Sequence, residues 1–451
     1  MMLLATLALP LLGAVAVALV PLRRDYAGQV LATVVAGAAF LASLLLYVRP
    51  PGRLPAVAET DGLGIRPWHD LAWQWAPGLD LSFHLGVDGI SWPLVVLTTL
   101  LTLLCCAYTL VRPPECGGGK NLLALLLVIE VGILGVFLAL DLVLFFVFFE
   151  VVLLPMYAVI AVWGGPRRRH AARKFVLYTL FGSVLLLVGV FAVVAAAGTA
   201  DLVELSARGG DGLARGTQIG AFALLAIAFA VKSPLWPLHT WLPDAHTEAP
   251  TVGSVILAGV LLKMGTYGLI RVAGVVPLGA EALAPVLGIL AVAAILIGSL
   301  VCLAQTELKR LIAYSSVGHM GFVLLGIATL TATGFQAALI GNIAHGVITG
   351  LLFFLAGAIK DRVGTGSLDR LGGLRERMPA LAGILGFAAI ASLGLPGLAG
   401  FWGEAFAVYA ALGRGGVLWP VLGVLAAVGG ALTAAYFLRL LRRVTHGPAS
   451  P

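Results

Sequence analysis

The sequence predicts an all-α protein, a polytopic membrane helical bundle of about thirteen transmembrane helices, arranged as two inverted five-helix repeats with broken helices. Three observations carry that expectation. The first is composition: 60% of the 451 residues are hydrophobic and 11% charged, with a mean hydropathy of +1.05, a balance that cannot cover the surface of a soluble chain this long. The second is the recurrence of runs of about 20 apolar residues, the length that crosses a bilayer as a helix. The third is placement of the basic residues, which gather in short connections between those runs. That placement also explains the net charge of +7 without nucleic acid, which is not expected as a partner; the lipid bilayer is.

In order, the runs fall near residues 3–21, 27–48, 89–111, 121–139, 142–163, 175–198, 219–241, 252–274, 283–304, 309–330, 333–359, 381–412 and 416–438. The first has no basic stretch before it and is followed by Arg23 and Arg24, so it reads as a retained span. Connections after odd-numbered runs, with the tail, collect about 19 Lys and Arg, and the other side about 7. The bias puts the N-terminus outside and the C-terminus, with Arg442 and Arg443, in the cytoplasm of a bacterial cell. The long outer connection, 49–88, carries Trp68, Trp73 and Trp75, which suit a membrane interface. The expected organisation is 1–118 for the N-terminal spans and outer loop, 119–274 and 275–441 for the five-helix repeats, and 442–451 for a short tail. Cys105, Cys106 and Cys302 lie in apolar runs and Cys116 in a Gly-rich connection, with no metal-ligand spacing.

Five charges sit where lipid disfavours them: Glu130, Glu150, Lys232, Lys263 and Glu404. A charge at a helix centre costs about 2.5–3.5 kcal/mol on insertion scales. Five exceed a typical folding free energy unless they pair, hydrate or neutralise. Such residues point to a proton path through the bilayer; the plainer alternative is a set of structural ion pairs. Lys232 directly precedes Ser233 and Pro234, with Pro237 beyond, so the helix should break and leave carbonyls open to water. A simple kink beside a snorkelling lysine is the other outcome. Glu404 closes a second Gly/Pro-rich stretch, 394–404. Two interrupted spans, each the fourth of a set of five, suggest an ion site at each break. Lys263 lies mid-span, and His319 and His345 in the next spans can relay protons from it to Glu404, or simply be hydrogen-bonded in place. Haem ligation by these histidines is not favoured, since they sit on neighbouring helices. Glu150 follows four phenylalanines and needs a cation or a proton. Within 4 Å of Lys232 it would gain about 4 kcal/mol at an effective dielectric of 20. Asp141 begins a span and reads as interfacial.

Residues 83–91 (FHLGVDGIS), 232–259 (KSPLWPLHTWLPDAHTEAPTVGSVILAG), 305–322 (QTELKRLIAYSSVGHMGF) and 394–404 (GLPGLAGFWGE) together resemble the antiporter-like subunit M family of respiratory complex I, the NADH–quinone oxidoreductase. The resemblance covers about 80–410, and Glu404 is its subunit M mark, the sister subunits L and N placing a lysine there. It implies a proton-translocating subunit in which Glu150 and Lys232 form the coupling pair, Lys263 is the central relay, and His319 and His345 carry protons toward Glu404. Glu130 matches a family glutamate. The resemblance further implies no redox centre and no cofactor in this chain, with NADH, FMN, Fe–S clusters and quinone bound by other subunits, and other complex I membrane subunits as partners. The family typically has fourteen spans, one more than are counted here. A subunit of a multi-subunit cation/proton antiporter or a membrane-bound hydrogenase is the alternative, and a non-transporting scaffold a more distant one.

The charge bias is testable by sidedness. With native cysteines replaced, Arg168→Cys and Arg443→Cys should react with an impermeant maleimide only in inverted vesicles, and Asp70→Cys only in right-side-out ones. Labelling of all three from one side would refute the orientation.

Overall fold

A computed structural model describes residues 2–48, 64–76 and 81–446. Helix is the dominant element because it satisfies its own backbone groups wherever water is absent. Two helices open the chain, α1 (Met2–Leu19) and α2 (Asp25–Leu45). A hairpin of β1 (His69–Ala76) and β2 (Leu81–Val87) leads to α3 (Ser91–Val111) and α4 (Gly119–Leu138). Next come α5 (Leu142–Val151) and α6 (Leu153–Trp163), one span interrupted at Val152. Pro155 explains the interruption, since it has no N–H for the carbonyl of Val151. Then follow α7 (Arg168–Ala197), the short α8 (Leu202–Arg208), α9 (Arg215–Lys232) and α10 (Trp241–Glu248). A single span holds α11 (Thr251–Ile256), a π-helical turn at Leu257–Leu261, and α12 (Lys263–Val275). After it run α13 (Pro277–Ala304), α14 (Leu308–Ala328), α15 (Ala332–Val363), α16 (Leu374–Arg377), α17 (Pro379–Ser392), α18 (Ala399–Gly413) and α19 (Leu418–Thr445).

Among the described residues, 12 helical spans are long and apolar enough to cross a membrane. The remaining expected run, 381–412, is present as α17 and α18, two short halves around a non-helical segment. The run expected at 219–241 ends as a helix at Lys232, and the motif after it forms α10. The outer connection holds more order than hydropathy suggests. Its hairpin pairs His69 with Val87 through Trp73 with Phe83, and Leu85 bridges to Ala139. Trp73 and Trp75 are exposed, as expected of interfacial residues. Trp68 is not: it is buried, its indole N–H donating to Leu46 O at 2.8 Å. Residues 49–63 and 77–80 of this connection lie outside the described set.

The chain divides into two compact units, residues 1–232 with 260–283, and 233–259 with 284–451. In the first, Asp88 caps the start of α3, its Oδ1 accepting from Ser91 N at 2.9 Å, while Oδ2 pairs with Arg271 at 2.7 Å. Arg271 therefore lies buried within α12, inside the expected run 252–274, near whose end it is not among the expected intramembrane charges. His84 on β2 meets Asp201, the N-cap of α8, at 2.9 Å. Burial alone would raise the Asp201 carboxyl, but the His84 hydrogen bond and the backbone N–H groups of Glu204 and Val203 hold it below the usual carboxylate range.

In the second unit, the buried Lys309 amine donates to Ala249 O, at the C-terminal end of α10, at 3.0 Å. Arg310 reaches Asp244 of α10 at 3.5 Å. Each unit also ties two of its connections together by a short backbone bridge. In the first, Leu142 N donates to Ala200 O and Leu202 N to Leu140 O, at 2.9 and 2.8 Å. In the second, Leu308 N donates to Gly366 O and Leu368 N to Thr306 O, at 2.9 and 2.7 Å. An acid caps the following helix in both, Asp141 for α5 and Glu307 for α14.

Removing one partner of a buried ion pair leaves the other unpaired in a dry site, at a cost of about 3–5 kcal/mol. Arg271→Met is therefore expected to lower the thermal unfolding midpoint of the detergent-solubilised protein. Adding Asp88→Asn should recover much of that loss. A double variant no more stable than Arg271→Met would show that the pair is not what Arg271 contributes.

Candidate proton path

Lys232 is the last residue of α9 and 2% exposed. Its position follows from Pro234 and Pro237, which cannot continue the helix and leave residues 233–240 as turns. The ammonium does not form an ion pair within 4.0 Å of Glu150. Instead Nζ stands 4.7 Å from the centroid of the Phe149 ring. Glu150 still acts on the lysine charge, and its own Oε1 is buried with no hydrogen-bond partner. A desolvated cation–π contact is worth about 2 kcal/mol, against about 4 kcal/mol for an ion pair closed to 4 Å at an effective dielectric of 20. The lysine thus occupies the weaker of two available seats.

Lys263 is fully buried and follows the π-helical turn, a feature that recurs at functional sites. Lys263, Tyr267 and Arg271 are spaced four apart and so share one face of α12. The Tyr267 hydroxyl donates to Phe137 O at 3.0 Å, and the Arg271 guanidinium lies over the Tyr267 ring at 4.7 Å. Glu130 on α4 is 1% exposed, and neither carboxyl oxygen has a hydrogen-bond partner.

The second unit gathers Glu404, His319 and His345. His319 Nδ1 is 2.9 Å from Glu404 Oε1, and His319 Nε2 is 3.0 Å from Ser392 Oγ. The His319 and His345 rings are 5.8 Å apart. All four residues, with Thr349, line a cavity holding about 350 Å³ of empty space, its open mouth included. Thr349 Oγ1 is buried there without a hydrogen-bond partner. The break between α17 and α18 makes this possible. Gly394 turns with φ +79°, and the position a Cβ would take lies 3.0 Å from Glu404 Oε2. Gly403 meets the Gly341 backbone so closely that its Cβ would sit 2.6 Å away, which lets α18 carry Glu404 against α15. An imidazole joined to a carboxylate at one nitrogen and a hydroxyl at the other can take a proton on one side and release it on the other.

The structure thus brings Glu404, His319 and His345 together, and sets Lys232 over Phe149, the residue before Glu150 in α5. Four residues were missed by sequence reasoning: Asp88, Arg271, Ser392 and Phe149. The four-residue spacing of Lys263, Tyr267 and Arg271 was an available signal; Ser392 and Phe149 offered none. Among the described residues no group of three His, Cys, Asp or Glu side chains has the geometry to hold a metal ion.

Comparison with known proteins agrees with this architecture. Residues 139–430 match the family described as NADH:quinone oxidoreductase/Mrp antiporter, TM. The chain belongs to that family of membrane subunits. Within it, the chain is similar to NADH-quinone oxidoreductase subunit M of Rhodobacter capsulatus, 44% identical over 420 residues, which are 90% of this chain and 78% of that one. It is also 44% identical to NAD(P)H-quinone oxidoreductase chain 4 1 of Synechococcus sp. strain JA-3-3Ab, over 84% of this chain and 72% of the relative. Among solved structures, a chain of respiratory complex I from Thermus thermophilus superposes with a TM-score of 0.87 at 32% identity, covering 100% of this chain and 90% of that one. A chain of the Mrp complex from Dietzia sp. DQ12-45-1b gives 0.85 at 26%, covering 100% and 81%.

Ser392→Ala removes one hydrogen bond, worth about 1 kcal/mol, and is expected to slow proton translocation several-fold. Glu404→Gln or His319→Gln should slow it by more than about tenfold, the scale of a positioned acid or base. Proton uptake into vesicles of the assembled complex measures both. Equal effects of Ser392→Ala and Glu404→Gln would count against a graded relay.

Proposed function

We propose that this chain is a proton-translocating membrane subunit of an NADH–quinone oxidoreductase, of the subunit M (chain 4) type, working beside other membrane subunits of that complex in a bacterial cell membrane. The observation that carries the reading is the coincidence of helix breaks with ionisable groups, one buried and one half-buried, inside apolar runs. Lys232 ends the helix before one break, and Glu404 lies in the helix after the other. An open backbone supplies polar groups that can hold water, and a titratable side chain beside it can exchange protons with that water.

In this reading Glu150 and Lys232 form a switch. Closing the pair stabilises both charges; opening it leaves an ammonium in a dry site, ready to pass its proton on. Lys263 receives it, and His345 and His319 convey it to Glu404. Glu130, buried in the same unit as the switch, belongs to the same path. The matched connector bridges support two repeats of opposite orientation, 119–274 and 275–441. They join the first connection to the third in each set of five helices, and the charge bias puts the two bridges on opposite sides of the membrane. The same bias supports an N-terminus outside and a C-terminus in the cytoplasm. NADH, FMN, Fe–S clusters and quinone belong to other subunits in this reading, so the chain contributes the path rather than the redox chemistry.

The Mrp-like reading, in which the same groups exchange a cation for protons, finds support in the Dietzia superposition. Higher identity to the quinone-oxidoreductase relatives, over most of their length, favours the first. Lys232→Ala and Glu150→Ala should each largely abolish pumping by the reconstituted complex, with a smaller effect on NADH oxidation by the peripheral arm. A normal proton-to-electron ratio in either variant would rule out the switch.

A further inference from the structure

We infer that the Phe149 ring is a second seat for the Lys232 ammonium, so that the lysine alternates between the Glu150 carboxylate and the face of this ring. The inference rests on the Glu150–Lys232 switch and adds a positioning residue to it. Phe149 and Glu150 are consecutive on α5, so their side chains leave the helix about 100° apart, and a long lysine chain from α9 can reach either. Nζ is found over the ring, 4.7 Å from its centroid, while Glu150 keeps a buried oxygen without a hydrogen-bond partner. The ring is thus the group seen to hold the cation while the carboxylate does not.

The ring is held in place for that task. Phe145 stacks beside it at 6.1 Å between centroids, and Phe229 meets it edge-on at 6.2 Å. Phe145 in turn packs against Phe229 at 5.9 Å and Tyr267 at 6.5 Å. Tyr267 is anchored by its hydrogen bond to Phe137 O. Gly268 makes room for the Phe229 ring, for a Cβ there would lie 2.4 Å from it. Three aromatic residues from three helices thus fix the face that Phe149 turns toward Nζ. An aliphatic side chain of similar size would fill the same space and offer the cation nothing. The ring holds the ammonium close to Glu150 after the pair opens and until its proton is passed on.

The test is a graded one in the intact, reconstituted complex. Phenylalanine analogues with one, two and three ring fluorines at position 149 weaken the ring's hold on a cation while barely changing its shape. The rate of proton translocation should fall stepwise with fluorine number, by about threefold or more across the series. Phe149→Leu should fall at least as far, and Phe149→Tyr should restore most of the rate. A flat fluorine series in assembled complex overturns the proposal, and so does a Phe149→Leu complex that pumps as the parent does. If Phe149→Leu does not assemble, the fluorine series alone decides. Glu150→Ala separates the two readings: normal pumping in that variant removes the switch itself, whereas loss of pumping with a flat fluorine series removes only the role of the ring.

Discussion

An ionised group far from water is the constraint on which the rest of this structure turns. The bundle meets it in three ways for its cations. Arg271 is neutralised by Asp88. Lys309 and Lys120 bind carbonyls at the C-terminal ends of helices, Lys309 on Ala249 and Lys120 on Ala18, where the helix dipole favours positive charge. Lys232 instead has a ring where these have an anion or a carbonyl. The acids divide in the same way. Asp88, Asp141 and Glu307 are held by backbone N–H groups at helix starts, whereas Glu130 and Glu150 carry buried oxygens with no hydrogen-bond partner. Groups in the first set have hydrogen-bond or ion-pair partners and hold the fold. Those in the second need a proton, a cation or water, and that need makes them fit to move protons.

Helix breaks supply the other half of the design. Proline at 234 and 237, and the Gly/Pro segment before α18, interrupt spans that would otherwise be closed to water. Each break must be supported, because an open backbone in a dry interior is expensive. In the second unit α10 is tied down by Lys309 and Arg310, and α18 is seated by the close approach of Gly403 to Gly341. The seating is what delivers Glu404 to His319. Support of the break and assembly of the site are therefore the same set of contacts.

Hydropathy, proline positions and charge bias are local properties of the chain, and they make the spans, both breaks and the five charges within the runs legible in the sequence. Of those charges, Glu130, Lys232 and Lys263 are buried and Glu150 and Glu404 half-buried. Where the local signal is ambiguous, expectation and fold part. Arg271 lies near the end of an apolar run, and only Asp88, distant in sequence, explains why it is inside. The hairpin at 69–87 escapes a hydropathy reading because its strands are short and its stability comes from pairing and from Leu85 bridging Ala139. Trp68 has the composition of an interfacial residue and is buried through the carbonyl of Leu46, just past the end of α2.

What the sequence determined by itself is the class of structure and the inventory of ionisable groups within it. Apolar runs of spanning length become helices in lipid, and the close pair Pro234 and Pro237 breaks one of them, although the single Pro10 and Pro285 sit inside continuous helices. What the tertiary structure alone decided is which groups meet. His319 lies between Glu404 and Ser392, and Lys232 sits over Phe149 rather than against Glu150. Those choices depend on distances of a few ångströms between residues on different helices, set by glycine contacts and ring packing that no local pattern encodes.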